Sequence, residues 1–286
     1  MESTIGKQKV IFVDRLGRFD LSKLLFYFFE EETAMPQDTN GTRTYACYEL
    51  AEVLGQNRYP GRGILIGKTE DGKKAQIVYF IMGRSANSQN RRFVRGEDQE
   101  IVIVPIDYSI VKNPELIIYS PVKALGNSLI VTNGNQTDTI YDAMKAGKDM
   151  REGLKSRCFE PDGPNWTPRI SSVSTFENGS FTYSMSILKS ADPEGGACNR
   201  MTFDYEPVSG IMHFIHTYAY DGNPLPTFAG EPERVRTEDA ASAEELALRV
   251  WNALDSEYRI SVYTRIVDLE TGKSDDCILN QGVKEN

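Results

Sequence analysis

Side chains able to do chemistry are concentrated in four short polar segments of this 286-residue chain, each beside a strand-like run. In the first, residues 83–92, the candidate ligand-binding groups are Arg84, Ser85, Asn90 and Arg91. Planar guanidinium groups bind phosphate or carboxylate through paired hydrogen bonds, and hydroxyl and amide groups add further donors. The segment therefore predicts an oxyanion or phosphate site, although a solvated basic turn has the same composition.

The second segment, residues 132–138, lies between a predicted strand and a predicted helix. Its candidate binding residues are Asn133, Gly134, Thr137 and Asp138. Backbone N–H groups at a helix N-terminus attract anions, which would suit a phosphorylated ligand. An Asn-Gly turn followed by an aspartate N-cap explains the same residues without any ligand.

The third segment, residues 159–170, combines carboxylates, an amide, a hydroxyl and a guanidinium group with three prolines. Prolines restrict the backbone and would help to fix the polar groups of such a loop. A rigid connector is the alternative interpretation. The candidate residues in this segment are Glu160, Asn165, Thr167, Pro168 and Arg169.

The fourth segment, residues 221–226, follows two histidines on a predicted strand, His213 and His216. A histidine can act as a general base, but a histidine on a strand more often packs in the protein. None of the four segments identifies a reaction by itself. The chain has no nucleophile elbow, no Walker A loop and no dinucleotide-binding fingerprint.

The elements that must position these segments are mostly strands. Two apolar runs joined by an Asp-Gly turn predict a β-hairpin over residues 64–82. Helices are predicted over residues 139–148, with Asp138 as the N-cap, and after Ser242, which forms a capping-box pattern with Glu245. Many strands with few helices predict an α+β layered fold. Further strands are predicted over 101–104, 116–119, 128–131, 181–188, 212–220, 260–267 and 277–279.

Residues 1–57 differ in pattern from the rest of the chain. Residues 10–13 predict a short strand, residues 21–28 a helix, and the residues before Gly55 a second short helix. We therefore interpret residues 1–57 as an N-terminal extension of unknown role, followed by one domain over residues 58–286.

Composition narrows the function classes. The net charge of −9 argues against a nucleic-acid partner, and no apolar run is long enough to span a membrane. The chain opens without a basic start followed by an apolar run, so we expect no secretory signal and a cytoplasmic protein. Four scattered cysteines and two histidines form no metal-binding pattern, so we expect no metal.

Together, the polar segments resemble the archaeal-type inosine monophosphate (IMP) cyclohydrolases. The matching motifs stand in the family's order and approximate spacing, and the resemblance extends over about residues 59–270. A bacterial branch of the family is similar through three further motifs. The motifs are residues 59–63, 83–85 with 90–91, 132–134 with 137–138, and 167–170, and the bacterial ones are 160–162, 214–218 and 221–226.

The resemblance implies a four-layer α-β-β-α sandwich like that of the N-terminal-nucleophile hydrolases, used here without an N-terminal nucleophile. It implies a cyclic amidine hydrolase that needs no cofactor. The reaction is the dehydrative closure of 5-formamidoimidazole-4-carboxamide ribotide to IMP, the last step of purine nucleotide synthesis. The partner is thus a small purine ribotide, and the family further implies a homo-oligomer.

The resemblance also implies roles for individual residues. Arg84 and Arg169 would neutralise the phosphate or polarise the formyl oxygen. Tyr119 would relay a proton, and Glu160 would act as base or orient the carboxamide. Asn165, like Asn133, would hydrogen-bond the base edge.

Two other functions fit the same residues. One is an amide hydrolase on the same fold, against which the absence of a nucleophile directly after Met1 counts. The other is a nucleotide-binding regulatory module that kept the pocket and lost the chemistry. Turnover of the ribotide would distinguish the enzyme from the regulatory module.

Overall fold

The computed structural model describes residues 45–111 and 118–282. The chain divides into two units, Met1–Thr44 and Tyr45–Asn286, of which the second is described below. The strand predicted over residues 10–13 and the helix over 21–28 lie outside the described residues. The last part of the predicted extension is α1 (Leu50–Gln56), which confirms the short helix expected there.

Two antiparallel sheets contain the thirteen strands of the described residues. The bounds of the strands and of the other helices, in chain order, are β1 (Arg62–Lys68), β2 (Lys74–Met82), α2 (Ala86–Gln89), β3 (Arg92–Arg95), β4 (Ile101–Val104), β5 (Val122–Leu125), β6 (Ser128–Thr132), α3 (Gln136–Lys145), α4 (Met150–Leu154), β7 (Arg169–Glu177), β8 (Ser180–Ser190), β9 (Cys198–Tyr205), β10 (Ile211–His216), β11 (Glu233–Arg236), α5 (Ala243–Ala253), β12 (Arg259–Asp268) and β13 (Ser274–Asn280).

The six-stranded sheet has the order β11-β10-β1-β2-β12-β13, and the seven-stranded sheet runs from β3 to β9 in chain order. The predicted hairpin is confirmed: β1 pairs with β2 around the Asp-Gly turn, with Leu65 opposite Val78. Each strand of the second sheet pairs with the next strand along the chain, and the connection from β6 to β7 contains α3 and α4. The α+β class predicted from the sequence is thereby confirmed.

Apolar side chains from both sheets form one core between them. Alternate residues of a strand point to opposite faces. Ile77, Tyr79 and Ile81 of β2 therefore enter this core, whereas Val78 and Phe80 face away from it. Full burial of one large apolar side chain contributes about 1.5–3 kcal/mol, so the double-sided burial of β2 makes it a rigid support.

The outer face of each sheet is covered by helices. Leu50 of α1 and Leu246 of α5 pack on the six-stranded sheet. Ile140 of α3 and Leu154 of α4 pack on the seven-stranded sheet. The layers are thus stacked in the order helix, sheet, sheet, helix.

The structure corrects several predicted boundaries. The predicted N-cap Asp138 lies inside α3, which begins at Gln136, and its exposed carboxylate is bound by Lys123 instead. Ser242 caps α5 as predicted, but the Glu245 carboxylate accepts from Ala241 N and not from the N-cap residue. The strand predicted over 212–220 ends at His216, where the backbone carbonyl of the turn accepts from the histidine ring.

Five strands were not predicted from the sequence. β3, β5 and β11 have only four residues each, β7 is rich in serine, and β9 is an exposed edge strand. Of the predicted strand 116–119, residues 116 and 117 lie outside the described residues. Tyr119 lies beside β4, where its carbonyl accepts from Ile103 N at 2.9 Å.

Candidate active site

Strand ends from both sheets bring charged and phenolic side chains together in the interior. We call this set the arginine–tyrosine cluster. The six-stranded sheet contributes residues at the start of β1, within β2 and after β10, and the seven-stranded sheet contributes residues before β3, β5 and β7. The members of the cluster are Arg62, Tyr79, Arg91, Tyr119, Glu160 and Tyr218, and each acts electrostatically on others of the set.

Two arginines of the cluster have buried donors without partners. Arg91 is 2% exposed; its Nε donates to Ser88 O at 2.8 Å, but its Nη2 has no partner in residues 45–111 and 118–282. The Nε of Arg62 is also buried and has no hydrogen-bond partner in those residues. Neither arginine forms an ion pair within that part of the chain. Buried cationic donors without partners are costly, so their presence points to an anionic or strongly polar ligand.

The charges in the cluster shift one another's proton affinity. Burial and the nearby charge of Arg62 lower the pKa of Arg91. Burial also acts against the charge of Arg62, but Tyr218 and Glu160 outweigh it and raise the pKa of Arg62. Both guanidinium groups stay charged at any ordinary pH, because the unperturbed arginine pKa lies above 12. The cluster therefore holds two permanent positive charges close together.

Two tyrosines join their hydroxyl groups inside the cluster. The oxygens of Tyr79 and Tyr119 are 3.3 Å apart. Burial raises the pKa of both residues; their hydrogen bond raises the pKa of Tyr79 further and lowers that of Tyr119. Either hydroxyl can be the donor of this bond; when Tyr79 donates, the proton of Tyr119 is free for another acceptor.

Glu160 is 5% exposed and is held by a closed loop. Its backbone N–H donates to Thr167 O at 2.9 Å. Asp162 accepts from the Thr167 backbone N–H at 2.7 Å, and the Thr167 hydroxyl bonds both Asp162 and the hydroxyl of Tyr218, the latter at 2.7 Å. Burial raises the pKa of Glu160, and the charges of Arg62 and Arg169 oppose that rise. The carboxyl is thus positioned to exchange a proton.

A second group of polar side chains lies at the start of α3. Arg169 donates to Gln136 Oε1 at 2.8 Å, and Gln136 donates to Asn133 Oδ1 at 3.0 Å. Asn133 in turn donates to Pro168 O at 2.8 Å. A Cβ on Gly134 would overlap the Arg169 guanidinium, so glycine is required for the observed approach. This chain of contacts fixes a buried arginine at a helix N-terminus.

Arg157 places another cation at the same helix end. Its Nε donates to Thr139 Oγ1 at 2.7 Å and its Nη2 to Asn135 O at 3.2 Å. Burial and the charge of Arg169 lower the pKa of Arg157, so the two guanidinium groups lie near each other. Two arginines beside the positive end of a helix form an environment that attracts a phosphate.

Other predicted residues of the first segment lie elsewhere. Arg84 is near the surface, where it bonds Asp221 at 2.7 Å and Gly222 O at 2.8 Å. Ser85 caps α2 by accepting from Ser88 N. Asn90 forms two hydrogen bonds with the backbone of Asp107. These contacts shape the loops around the cluster rather than entering it.

Three further candidates hold loops in place. The Thr137 hydroxyl bonds Thr132 at 2.6 Å inside the turn before α3. Asp138 is exposed and bonds Lys123. Asn165 accepts from Leu225 N at 3.0 Å and so joins the third segment to the fourth. Of the predicted residues, the structure brings together Arg91, Tyr119, Glu160, Thr167 and Arg169.

The two histidines take structural positions. His213 Nδ1 lies 2.6 Å from the Tyr183 hydroxyl, and the ring stacks on Tyr205 with centroids 3.8 Å apart. Burial, helped by the charge of Arg234, lowers the pKa of His213 to about 4. His216 Nδ1 lies 2.9 Å from Tyr218 O and therefore supports the turn that carries the Tyr218 ring.

Sequence reasoning assigned no role to Arg62, Tyr79 or Tyr218. Arg62 belongs to a motif that supported the family resemblance, and its position after Pro60-Gly61 at a strand start was an available signal. Tyr79 lies in the middle of an apolar run, where nothing local distinguishes it from a core residue. Only the packing of the two sheets against each other shows that the Tyr79 hydroxyl meets the Tyr119 hydroxyl.

Residues 45–111 and 118–282 contain neither a metal centre nor a membrane-spanning helix. No group of three or more histidine, cysteine or acidic side chains that could bind a metal occurs in the described segments. Across those same segments, no helix is long and apolar enough to cross a membrane.

The chain belongs to the family of IMP cyclohydrolase-like proteins. The model of that family matches residues 59–273, and the resemblance predicted from the separate motifs is confirmed.

Relatives named IMP cyclohydrolase occur in several archaea. The protein from Methanococcus maripaludis strain C6 is 33% identical over 189 residues, which cover 58% of this chain and 92% of the relative. The strain C7 protein is 34% identical over 130 residues, covering 44% of this chain and 62% of the relative. The Methanopyrus kandleri protein is 35% identical over 123 residues, covering 42% and 60%. In most of these alignments, this chain spans about three fifths of the relative's length.

Proposed function

We propose that this protein is an IMP cyclohydrolase, which closes 5-formamidoimidazole-4-carboxamide ribotide to IMP with loss of water. The observation that carries the proposal is the pair of buried arginines, Arg62 and Arg91, whose unpartnered donors lie beside Tyr119 and Glu160. Preorganised hydrogen-bond donors of this kind stabilise the negative charge that develops on a reacting oxygen. The names of the archaeal relatives support the same activity.

The phosphate of the ribotide is proposed to bind at the start of α3. Arg157 and Arg169 supply positive charge there, and the helix dipole adds to it. Gln136 holds the Arg169 guanidinium by one edge, which leaves its other N–H groups for the ligand. Bound in this way, the ribotide directs its base toward the arginine–tyrosine cluster.

Ring closure is intramolecular, so positioning supplies much of the rate. The carboxamide nitrogen attacks the formyl carbon, and the electron pair of the C=O bond moves to oxygen. Holding the two groups in contact geometry removes an entropic barrier that amounts to about 7–11 kcal/mol in favourable cases. The loop that runs from Glu160 to Thr167, closed by its internal hydrogen bonds, is suited to keeping that geometry.

Proton transfer is assigned to Glu160 and Tyr119. Glu160 takes a proton from the carboxamide nitrogen; its raised pKa makes it a stronger base than an exposed glutamate. Arg62 and Arg91 stabilise the oxyanion, and Tyr119 donates a proton to it. Glu160 then returns the carboxamide proton to the same oxygen, which leaves as water, while the formamide nitrogen gives its proton back to Tyr119 and becomes part of the new C=N bond.

The remaining predicted residues keep supporting roles in this proposal. Arg84, through Asp221 and Gly222, stabilises the loop beside Tyr59, over whose ring it lies at 5.1 Å. Ser85, Asn90, Asn133, Thr137, Asp138 and Asn165 act on the loops that border the site. Direct contacts between these side chains and the ribotide stay predictions.

The architecture is proposed to be that of the N-terminal-nucleophile hydrolases without the nucleophile. The helix-sheet-sheet-helix order and the three apolar cores support this. An extension over residues 1–57, a homo-oligomer, a cytoplasmic location and the absence of a nucleic-acid partner stay predictions.

Turnover of the ribotide by the purified full chain tests the proposal. The absorbance change of ring closure should appear without added cofactor, and Glu160→Gln should abolish most of it while the variant still binds IMP. IMP binding without turnover in the unmodified protein would instead identify a regulatory module. A folded protein that neither binds IMP nor turns the ribotide over would refute the proposed function.

A further inference from the structure

Two cysteines lie next to each other at the edge of the seven-stranded sheet. Cys158 follows α4 and is exposed, and Cys198 opens β9 and is partly exposed; both are free thiols. The Cys198 thiol donates to Asn199 O at 3.6 Å, and burial together with the nearby Cys158 side chain raises the pKa of Cys198. The other two cysteines, Cys47 and Cys277, share no such contact with each other or with this pair in the described segments.

The Arg200 guanidinium holds the backbones of the two cysteines near each other. It donates to Arg157 O through Nη2 at 2.7 Å and through Nε at 3.2 Å, and to Cys198 O through Nη1 at 3.4 Å. The segment before Cys158 is anchored from its other side, because Arg157 N donates to Leu154 O at the end of α4. The fold therefore keeps the chain at Cys158 beside the start of β9.

We propose that Cys158 and Cys198 are a modification site, at which a peroxide converts the two thiols into a reversible intrachain disulfide. The thiolate of exposed Cys158 attacks one oxygen of hydrogen peroxide, the O–O bond breaks, and a sulfenic acid and water form. The Cys198 sulfur then attacks the Cys158 sulfur and the S–O bond breaks. The hydroxide released takes up the Cys198 proton as a second water. The two thiols lose two electrons and two protons, which the peroxide accepts.

The crosslink would act on the proposed active site because Glu160 is two residues from Cys158. The two sulfur atoms must approach to about 2.05 Å in a disulfide, so we expect the backbone at Cys158 to shift when the bond forms. Phe159 transmits the shift, since its ring packs edge-on against Trp166 at 5.7 Å. Trp166 in turn donates to Pro193 O at 2.8 Å, in the loop that leads into β9. The same strain thus reaches both ends of the loop that holds Glu160.

This effect on turnover rests on the proposed function, whereas formation of the disulfide does not. A misplacement of about 1 Å at a catalytic group can lower the rate by up to about 100-fold. We therefore expect oxidation to lower ribotide turnover by about tenfold and a thiol reductant to restore it.

The test treats the full chain with hydrogen peroxide and maps the cysteines by mass spectrometry without reduction. We expect a Cys158–Cys198 linked peptide pair, a chain lighter by two hydrogens, and reversal by dithiothreitol. Cys158→Ser and Cys198→Ser should each keep their turnover under peroxide. The matched control, Cys47→Ser with Cys277→Ser, should lose turnover as the unmodified protein does.

Three outcomes would overturn the proposal: only interchain disulfides, only sulfinic or sulfonic acids at the separate cysteines, or an intrachain disulfide that changes neither turnover nor IMP binding. A reduced protein without any turnover would count against the proposed function alone. In that case the linked peptide pair, together with weaker IMP binding after oxidation, would still support the disulfide.

Discussion

The hydroxyl of Tyr79, from the middle of a buried strand, meets the hydroxyl of Tyr119 across the space between the two sheets, with 3.3 Å between the oxygens. Arg62 and Arg91 lie close enough to both rings to lower their pKa values, against the larger effect of burial. With Tyr79 as the donor, the bond orients Tyr119 and leaves its proton available. It therefore links the rigid core of the fold to the proposed proton donor.

Removal of the Tyr119 hydroxyl should slow the reaction strongly. Positioned proton donors contribute about 10²- to 10⁴-fold, so Tyr119→Phe should lower kcat within that range. IMP binding should change little, because the ring stays in place. Steady-state kinetics and calorimetry on the same preparation measure both quantities; normal kcat in Tyr119→Phe would exclude this tyrosine as the donor.

Tyr79→Phe should have a smaller effect and a distinctive pH signature. A neutral hydrogen bond contributes about 1 kcal/mol, which corresponds to a loss of roughly fivefold in kcat. Loss of the donated bond raises the pKa of Tyr119, so the alkaline limb of the kcat profile should move to higher pH. The ring stack of Tyr79 on Phe93 is retained, which keeps the fold. An unshifted alkaline limb would mean that Tyr79 acts by packing alone.

The pH dependence of turnover should reveal Glu160 as the base. Burial raises the pKa of this carboxyl, so the reactive carboxylate is lost at a higher pH than for an exposed glutamate. Turnover should therefore rise with pH through the folded-state pKa of Glu160 and level off above it. Glu160→Gln should remove this acid limb along with about 10²- to 10⁴-fold of the rate. An acid limb that persists in the variant would assign it to another group.

Gly134→Ala should weaken binding of the ribotide more than it slows the chemistry. The new Cβ would overlap the Arg169 guanidinium and move it from the start of α3. A hydrogen bond to a charged group is worth about 1.5–3 kcal/mol, so KM should rise about tenfold or more with a smaller change in kcat. Gly55→Ala is the matched control, because nothing lies within 4 Å of its Cβ position. Equal kinetics for both variants would place the phosphate elsewhere.

His213 should make the fold sensitive to mild acid. Its pKa is lowered to about 4 in the folded protein, against about 6.5 in an unfolded chain, because burial disfavours the charged ring. The stability that comes from keeping this ring neutral is complete above about pH 6.5 and is lost as the pH falls toward 4. Urea unfolding between pH 7.5 and 4.5 should therefore show a steeper loss in the unmodified protein than in His213→Phe. Parallel curves would assign the acid sensitivity to carboxylates.

Short sequence patterns predicted the elements that are stabilised by interactions between neighbouring residues, such as turns and helix caps. The Asp-Gly turn between two apolar runs predicted the β1–β2 hairpin. The spacing of Ser242 and Glu245 predicted the N-cap of α5, in which the Ser242 hydroxyl accepts from Glu245 N. Arg91, Glu160 and Arg169 were predicted as site residues from the sequence, since charged side chains in proline- or asparagine-rich loops beside strands have few packing roles.

Only the tertiary structure separated Arg91 from Arg84, seven positions earlier in the same segment. Burial decides between them: Arg91 is 2% exposed and keeps an unpartnered donor, whereas the Arg84 side chain is 31% exposed and neutralised by Asp221. Tyr79 likewise has no local signal. Its hydroxyl gains a role because residue 119, forty positions away, arrives from the other sheet. The sequence thus specified which residues were polar and which strands were buried, and the packing of the two sheets decided which of those residues share one electrostatic environment.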